Sequence, residues 1–132
     1  MTTDTGEKEA LVSYRLESAK EKLKAAVALL ADGYYKDSVG RSYYAIFTAA
    51  RALLATMRLD SVKHSGVIAL FNQHFVKKGV VNKETSKVIE RAKLYRERAD
   101  YGDYFIVTKE EAESQIESAK KFISDIESAV NQ

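Results

Sequence analysis

Residues 35–57 read YKDSVGRSYYAIFTAARALLATM, and their spacing decides the fold. Val39, Tyr43, Ile46, Ala50, Leu53 and Met57 recur at alternating intervals of four and three, which places them on one stripe of an α-helix. Tyr44, Phe47 and Leu54 widen the stripe, so this helix is expected at the centre of a bundle, with apolar neighbours on more than one side. No proline interrupts it, because the chain contains none.

The same seam continues outward in both directions. Upstream, Leu16, Ala19, Leu23, Ala26 and Leu30 keep the spacing until Asp32-Gly33, a common helix stop. Downstream, a shorter helix starts near His64-Ser65 and presents Val67, Ile68, Phe71 and Phe75 before Lys77-Lys78-Gly79. A fourth opens on the N-cap Asn82 and runs through Val88, Ala92, Tyr95 and Ala99. A fifth begins with the capping box Thr108 to Glu111 and carries Ala112, Ile116, Ala119, Ile123, Ile126 and Val130. Alternating strand patterns are missing, and the links are short. The expectation is an all-α, up-and-down bundle of four to five antiparallel helices. It forms a single domain over residues 1–132, with 1–6 as a flexible N-terminus.

With 132 residues, 45% of them hydrophobic and 30% charged, the chain is long enough to bury one core. It has no cysteine, which excludes disulfides, thiolate metal sites and a cysteine nucleophile. Two histidines, His64 and His74, are too few for most metal cages, so neither metal nor cofactor is expected. No apolar run approaches the ~20 residues of a membrane span, and no secretory signal is visible, so no membrane association and a cytoplasmic location are expected. The net charge of +2 is unevenly spread. Residues 34–107 carry thirteen basic and seven acidic side chains, while both flanking segments are acidic. A basic middle is suited to phosphates or nucleic acid, although a solvated surface accounts for it equally well.

Phosphate-loop, nucleophile-elbow and zinc-helix patterns are absent. Three clusters remain. Arg41 lies in the apolar second helix, where it needs a carboxylate, phosphate or water; a structural salt bridge is the plain alternative. Lys63-His64-Ser65-Gly66 opens the third helix, where free amides, a lysine, an imidazole and a hydroxyl suit an anion, or else form an exposed capping turn. Between Tyr95 and Tyr104 stand two arginines, two aspartates and three tyrosines, with Arg96 and Asp100 on one helix face.

The run Arg41-x-Tyr43-Tyr44-Ala45-x-Phe47-x-Ala49-Ala50-Arg51-Ala52-Leu53-Leu54 resembles the second helix of HEPN domains. Lys63-His64-Ser65-Gly66-Val67, Phe71, His74-Phe75-Val76-Lys77 and Arg96-x-x-Ala99-Asp100-Tyr101 continue the pattern in order. The resemblance implies a homodimer with a shared cleft and, in many members, a metal-independent ribonuclease or toxin paired with a minimal nucleotidyltransferase. The ribonuclease members use a late Arg-x(4–6)-His motif. Here no histidine follows Arg91, Arg96 or Arg98, and Asp103-Tyr104 stand in that region. Arg58 and His64 have the motif's spacing, but earlier in the chain than the family places it.

The resulting expectation is a toxin–antitoxin HEPN protein acting on or binding RNA or nucleotide. His64, Arg96 and Asp100 are the candidate catalytic residues, with His64 as general acid or base and an arginine stabilising phosphorane-like charge. Arg41, Lys63, Ser65, Tyr44 and Tyr101 are the candidate phosphate or nucleotide contacts. Tyr104 is a candidate acceptor of nucleotidyl transfer from the partner. The alternatives are a non-catalytic HEPN module that binds nucleotide or protein, and a structural oligomerisation bundle.

Overall fold

The computed structural model describes residues 3–102 and 104–131. Five helices follow one another: α1 (Thr3–Ala31), α2 (Tyr35–Ala55), α3 (His64–Phe71), α4 (Lys83–Tyr101) and α5 (Lys109–Val130). Among the described residues there is no strand, and the protein is an all-α bundle. No described helix is long and apolar enough to cross a membrane. Helix α1 begins at Thr3, within the stretch 1–6 expected as a flexible N-terminus, of which Met1 and Thr2 lie outside the described residues.

Helix α2 is central, packing against α1, α3, α4 and α5. Its wide stripe is consumed inside the bundle: Tyr43, Ala45, Ile46, Ala49, Ala50, Ala52 and Leu54 are all inaccessible to solvent. The fully buried residues Ala19 and Ala26 of α1 are small, which lets the two backbones approach closely. The buried hydroxyl of Ser38 donates to the Ala26 carbonyl at 2.8 Å, fixing the register of that seam. A second, smaller core joins Val39 to Val107 and Ala112, with Tyr35, Tyr95 and Phe105 packed around it. It ties the link between α4 and α5 to the start of α2.

The caps follow the sequence. Asn82 accepts the Thr85 amide at 2.9 Å, and Thr108 and Glu111 form a reciprocal capping box. Gly33, at φ 84°, closes α1, a conformation that glycine adopts without strain. Two ends differ from expectation. Helix α2 stops at Ala55 instead of Met57, and Met57 is exposed. Arg58 turns left-handed (φ 55°) there, while the Leu59 amide donates back to the Leu54 carbonyl at 3.1 Å. Helix α3 ends at Phe71 and continues as one π-helical turn, Asn72–Val76.

Candidate functional site

His64 sits at the first turn of α3, where the chain returns from α2 and lays the imidazole over an aromatic ledge. Its ring centroid is 4.2 Å from that of Phe47 and 5.8 Å from that of Tyr43. The Tyr43 hydroxyl lies 2.9 Å from His64 Nδ1. Burial, then the positive charges of Arg96, Lys93 and Arg51, lower the His64 pKa below its ordinary value. Burial is also the main reason that the Tyr43 phenol is pushed up to about 12.

Arg96 reaches the ledge from α4. Its guanidinium carbon lies 5.0 Å from the Tyr44 ring centroid and 5.6 Å from that of Tyr43. Asp100, one turn later, pairs with Arg96 Nε at 3.1 Å. That side-on contact leaves the terminal amino groups of Arg96 without a partner among the described residues.

Arg41 and Asp100 flank a groove of about 540 Å³ that Lys36, Asp37, Gly40 and Tyr44 also line. Arg41 is exposed, and among the described residues no carboxylate makes the structural salt bridge considered for it. The apolar stripe of α2 lies on its other side.

His64, Tyr43, Tyr44, Arg96, Asp100 and Arg41 therefore occupy one continuous face contributed by α2, α3 and α4. Lys63 and Ser65 flank His64 in the chain but are exposed, with neither drawn into the ledge. Tyr101 is 77% exposed at the end of α4. Tyr104 is 97% exposed and lines a separate cleft of about 480 Å³ with Tyr34, Tyr35 and Ile106. Asp103 lies outside the described residues. Arg58, matched to His64 by spacing, points elsewhere: it lines a groove with Glu7, Leu11 and Asp60.

The loop before α3 is pinned by a carboxylate clamp that sequence reasoning missed. Asp60 takes Arg51 through two hydrogen bonds, at 3.0 and 2.7 Å, and Arg15 of α1 at 3.1 Å. The Arg51 hydrogen bond is the chief reason that the Asp60 carboxyl is held down at about 2. Gly66 completes the clamp, because a Cβ there would meet Ser61 Cβ at 2.9 Å. Asp60 stands alone between helices, so only its charge opposite two helical arginines hinted at this role. Among the described residues no group of three His, Asp or Glu side chains is placed to hold a metal ion.

Fold and site together define a small helical-bundle protein with His64, Arg96, Asp100 and Arg41 gathered beside the aromatic residues of α2. The HEPN domain family model matches residues 12–129, and the chain belongs to that family. It is 40% identical to a protein of Methanocaldococcus jannaschii named as a putative toxin, over 89% of this chain and 87% of the relative. It is 39% identical to a UPF0332 protein of Thermotoga maritima, over 94% of each chain. A second M. jannaschii protein named as a putative toxin is 34% identical, over 83% of this chain and 74% of its own.

Proposed function

We propose that this HEPN domain is of the toxin–antitoxin type and binds RNA or nucleotide through phosphate contacts at the His64–Arg96–Arg41 face. The observation that carries this reading is convergence. Arg96 and Lys93 bear on His64, and Arg41 lines the adjoining groove with Tyr44. The terminal amino groups of Arg96 have no partner among the described residues, whereas Arg51 is taken by Asp60. Tyr43 and Phe47 are buried, so the rings open to bases are the half-buried Tyr44 and the exposed Tyr101. Cations for the backbone beside rings for the bases is the pattern that single-stranded nucleic acid uses. The relatives named as toxins support the toxin-like part.

In this reading Arg96 and Arg41 neutralise phosphate, while Lys63, Ser65, Tyr44 and Tyr101 border the bound strand. A minimal nucleotidyltransferase holds the protein in check, with the exposed Tyr104 hydroxyl as its acceptor. Two copies of the chain form the working unit. If the site turns over, it does so as a metal-independent ribonuclease through His64, Arg96 and Asp100. Binding without cleavage is the second reading. No histidine follows Arg91, Arg96 or Arg98, and His64 Nδ1 is already engaged 2.9 Å from the Tyr43 hydroxyl.

Titration of a labelled single-stranded oligoribonucleotide at low and moderate salt tests the proposal. Affinity should fall steeply with salt, as phosphate neutralisation requires. No binding at low salt would sink it, and intact RNA after binding selects the second reading.

A further inference from the structure

The Tyr43 hydroxyl and His64 Nδ1, 2.9 Å apart, have one hydrogen arrangement that strands neither group. Tyr43 is fully buried, and no second partner reaches its oxygen among the described residues. If Nδ1 carried the hydrogen, the phenol O–H would lie in the core without an acceptor, which is costly. The phenol therefore donates, Nδ1 accepts, and the neutral ring keeps its hydrogen on Nε2. Nε2 is not among the buried, unpartnered atoms, and the imidazole is only partly buried, so this nitrogen reaches solvent.

We propose that Tyr43 is a positioning residue that locks His64 as an outward Nε2–H donor. The pair works with Arg96 as a donor-only receptor for phosphate oxygens, in place of a general base. The identity of the anion rests on the RNA or nucleotide reading, whereas the tautomer lock does not. The groups facing the imidazole agree with a neutral donor: Arg51 from α2, and Lys93 and Arg96 from α4, all disfavour its cation. Glu97 of α4 is the carboxylate felt in the same neighbourhood, acting on Tyr43. An imidazole whose only solvent-facing nitrogen already bears hydrogen cannot accept a proton there. It can donate a hydrogen bond to a phosphate oxygen at neutral pH without holding a charge.

Long-range proton–nitrogen correlation NMR on the nitrogen-15-labelled protein reads the tautomer directly. We expect Nε2 protonated and Nδ1 bare in the wild type, and a mixture in Tyr43→Phe, which keeps the ring and removes only the hydroxyl. The affinity of Tyr43→Phe for a short 5′-phosphorylated oligouridylate should fall about three- to tenfold, with the melting curve still cooperative. An Nδ1–H ring in the wild type overturns the lock. Unchanged affinity in a folded Tyr43→Phe protein overturns the receptor. A wild type that shows Nε2–H yet binds no oligouridylate at low salt overturns the RNA reading and the receptor with it, leaving the lock in place. The wild-type spectrum is decisive even if the variant does not fold.

Discussion

Arg96 is held by two contacts that act on different parts of its guanidinium. Its guanidinium carbon lies over the Tyr43 and Tyr44 rings and Asp100 takes Nε, so its terminal amino groups are left without a partner among the described residues. The Asp100 side chain is 42% exposed, which makes this a screened surface pair worth about 1 kcal/mol or less. Arg96→Ala leaves Asp100 hydrated instead of stranded, so stability should drop by only about 1–2 kcal/mol, cation–π contact included. A charge-assisted contact to phosphate is worth more, so RNA affinity should fall about tenfold or further. Urea unfolding measured beside the binding titration checks this, and a loss of affinity that merely tracks unfolding would return Arg96 to a structural role. The pairing of Arg96 with Asp100 is legible in the sequence, since four-residue spacing on a helix fixes it. Tyr43 and Phe47 are not legible as site residues, because an aromatic on an apolar stripe looks like core until a neighbouring helix supplies a histidine.

Between the helices, one carboxylate sets where α3 starts. Asp60 ties the loop from α2 to Arg51 and to Arg15 of α1, and α3 then delivers His64 to the ledge. Its ordinary pKa of 3.8 is lowered to about 2 on folding, chiefly by the Arg51 hydrogen bond. A depressed carboxylate stabilises the fold fully above its unfolded value, and that stabilisation is lost as pH falls from about 4 towards about 2. With the Asp60 side chain 43% exposed, solvent screening reduces the effect to about 1 kcal/mol at neutral pH. Asp60→Asn should be less stable than wild type by that amount at pH 7, and the gap should close as the acid limb is descended. A constant gap across that range would mean that the clamp acts through shape instead of charge. Helix caps were readable here because Asn82 and the Thr108–Glu111 box satisfy amides within their own segments. The end of α2 and the π-helical turn after α3 were not, because packing against other helices decides them.

At the scale of the whole chain, the sequence pattern and the surface give different reasons for a second copy. The broad seam of α2 suggests more apolar area than one bundle needs, yet the bundle itself buries it against α1, α3, α4 and α5. Tyr14 and Val62 are exposed singly, but Tyr34, Tyr101, Tyr104 and Ile106, all more than half accessible, gather around the link from α4 to α5. Tyr34, Tyr104 and Ile106 line one cleft, which meets the groove of Arg41 and Asp100 through Lys36 and Asp37. Exposed aromatic area gathered beside polar side chains is the composition of an interface centre with its rim. A second copy seated there would border the proposed phosphate face and deepen it, while α1 and α5, which lie in the acidic flanking segments, pack together. Sedimentation equilibrium at micromolar concentration should therefore report twice the 14.8 kDa chain mass. Replacing both Tyr104 and Ile106 by serine should shift the distribution towards monomer while the helical signal is kept, since neither side chain is part of the core. A wild-type protein that sediments as a single 14.8 kDa species would show that the patch does not pair with itself, and would assign it to a partner of different sequence.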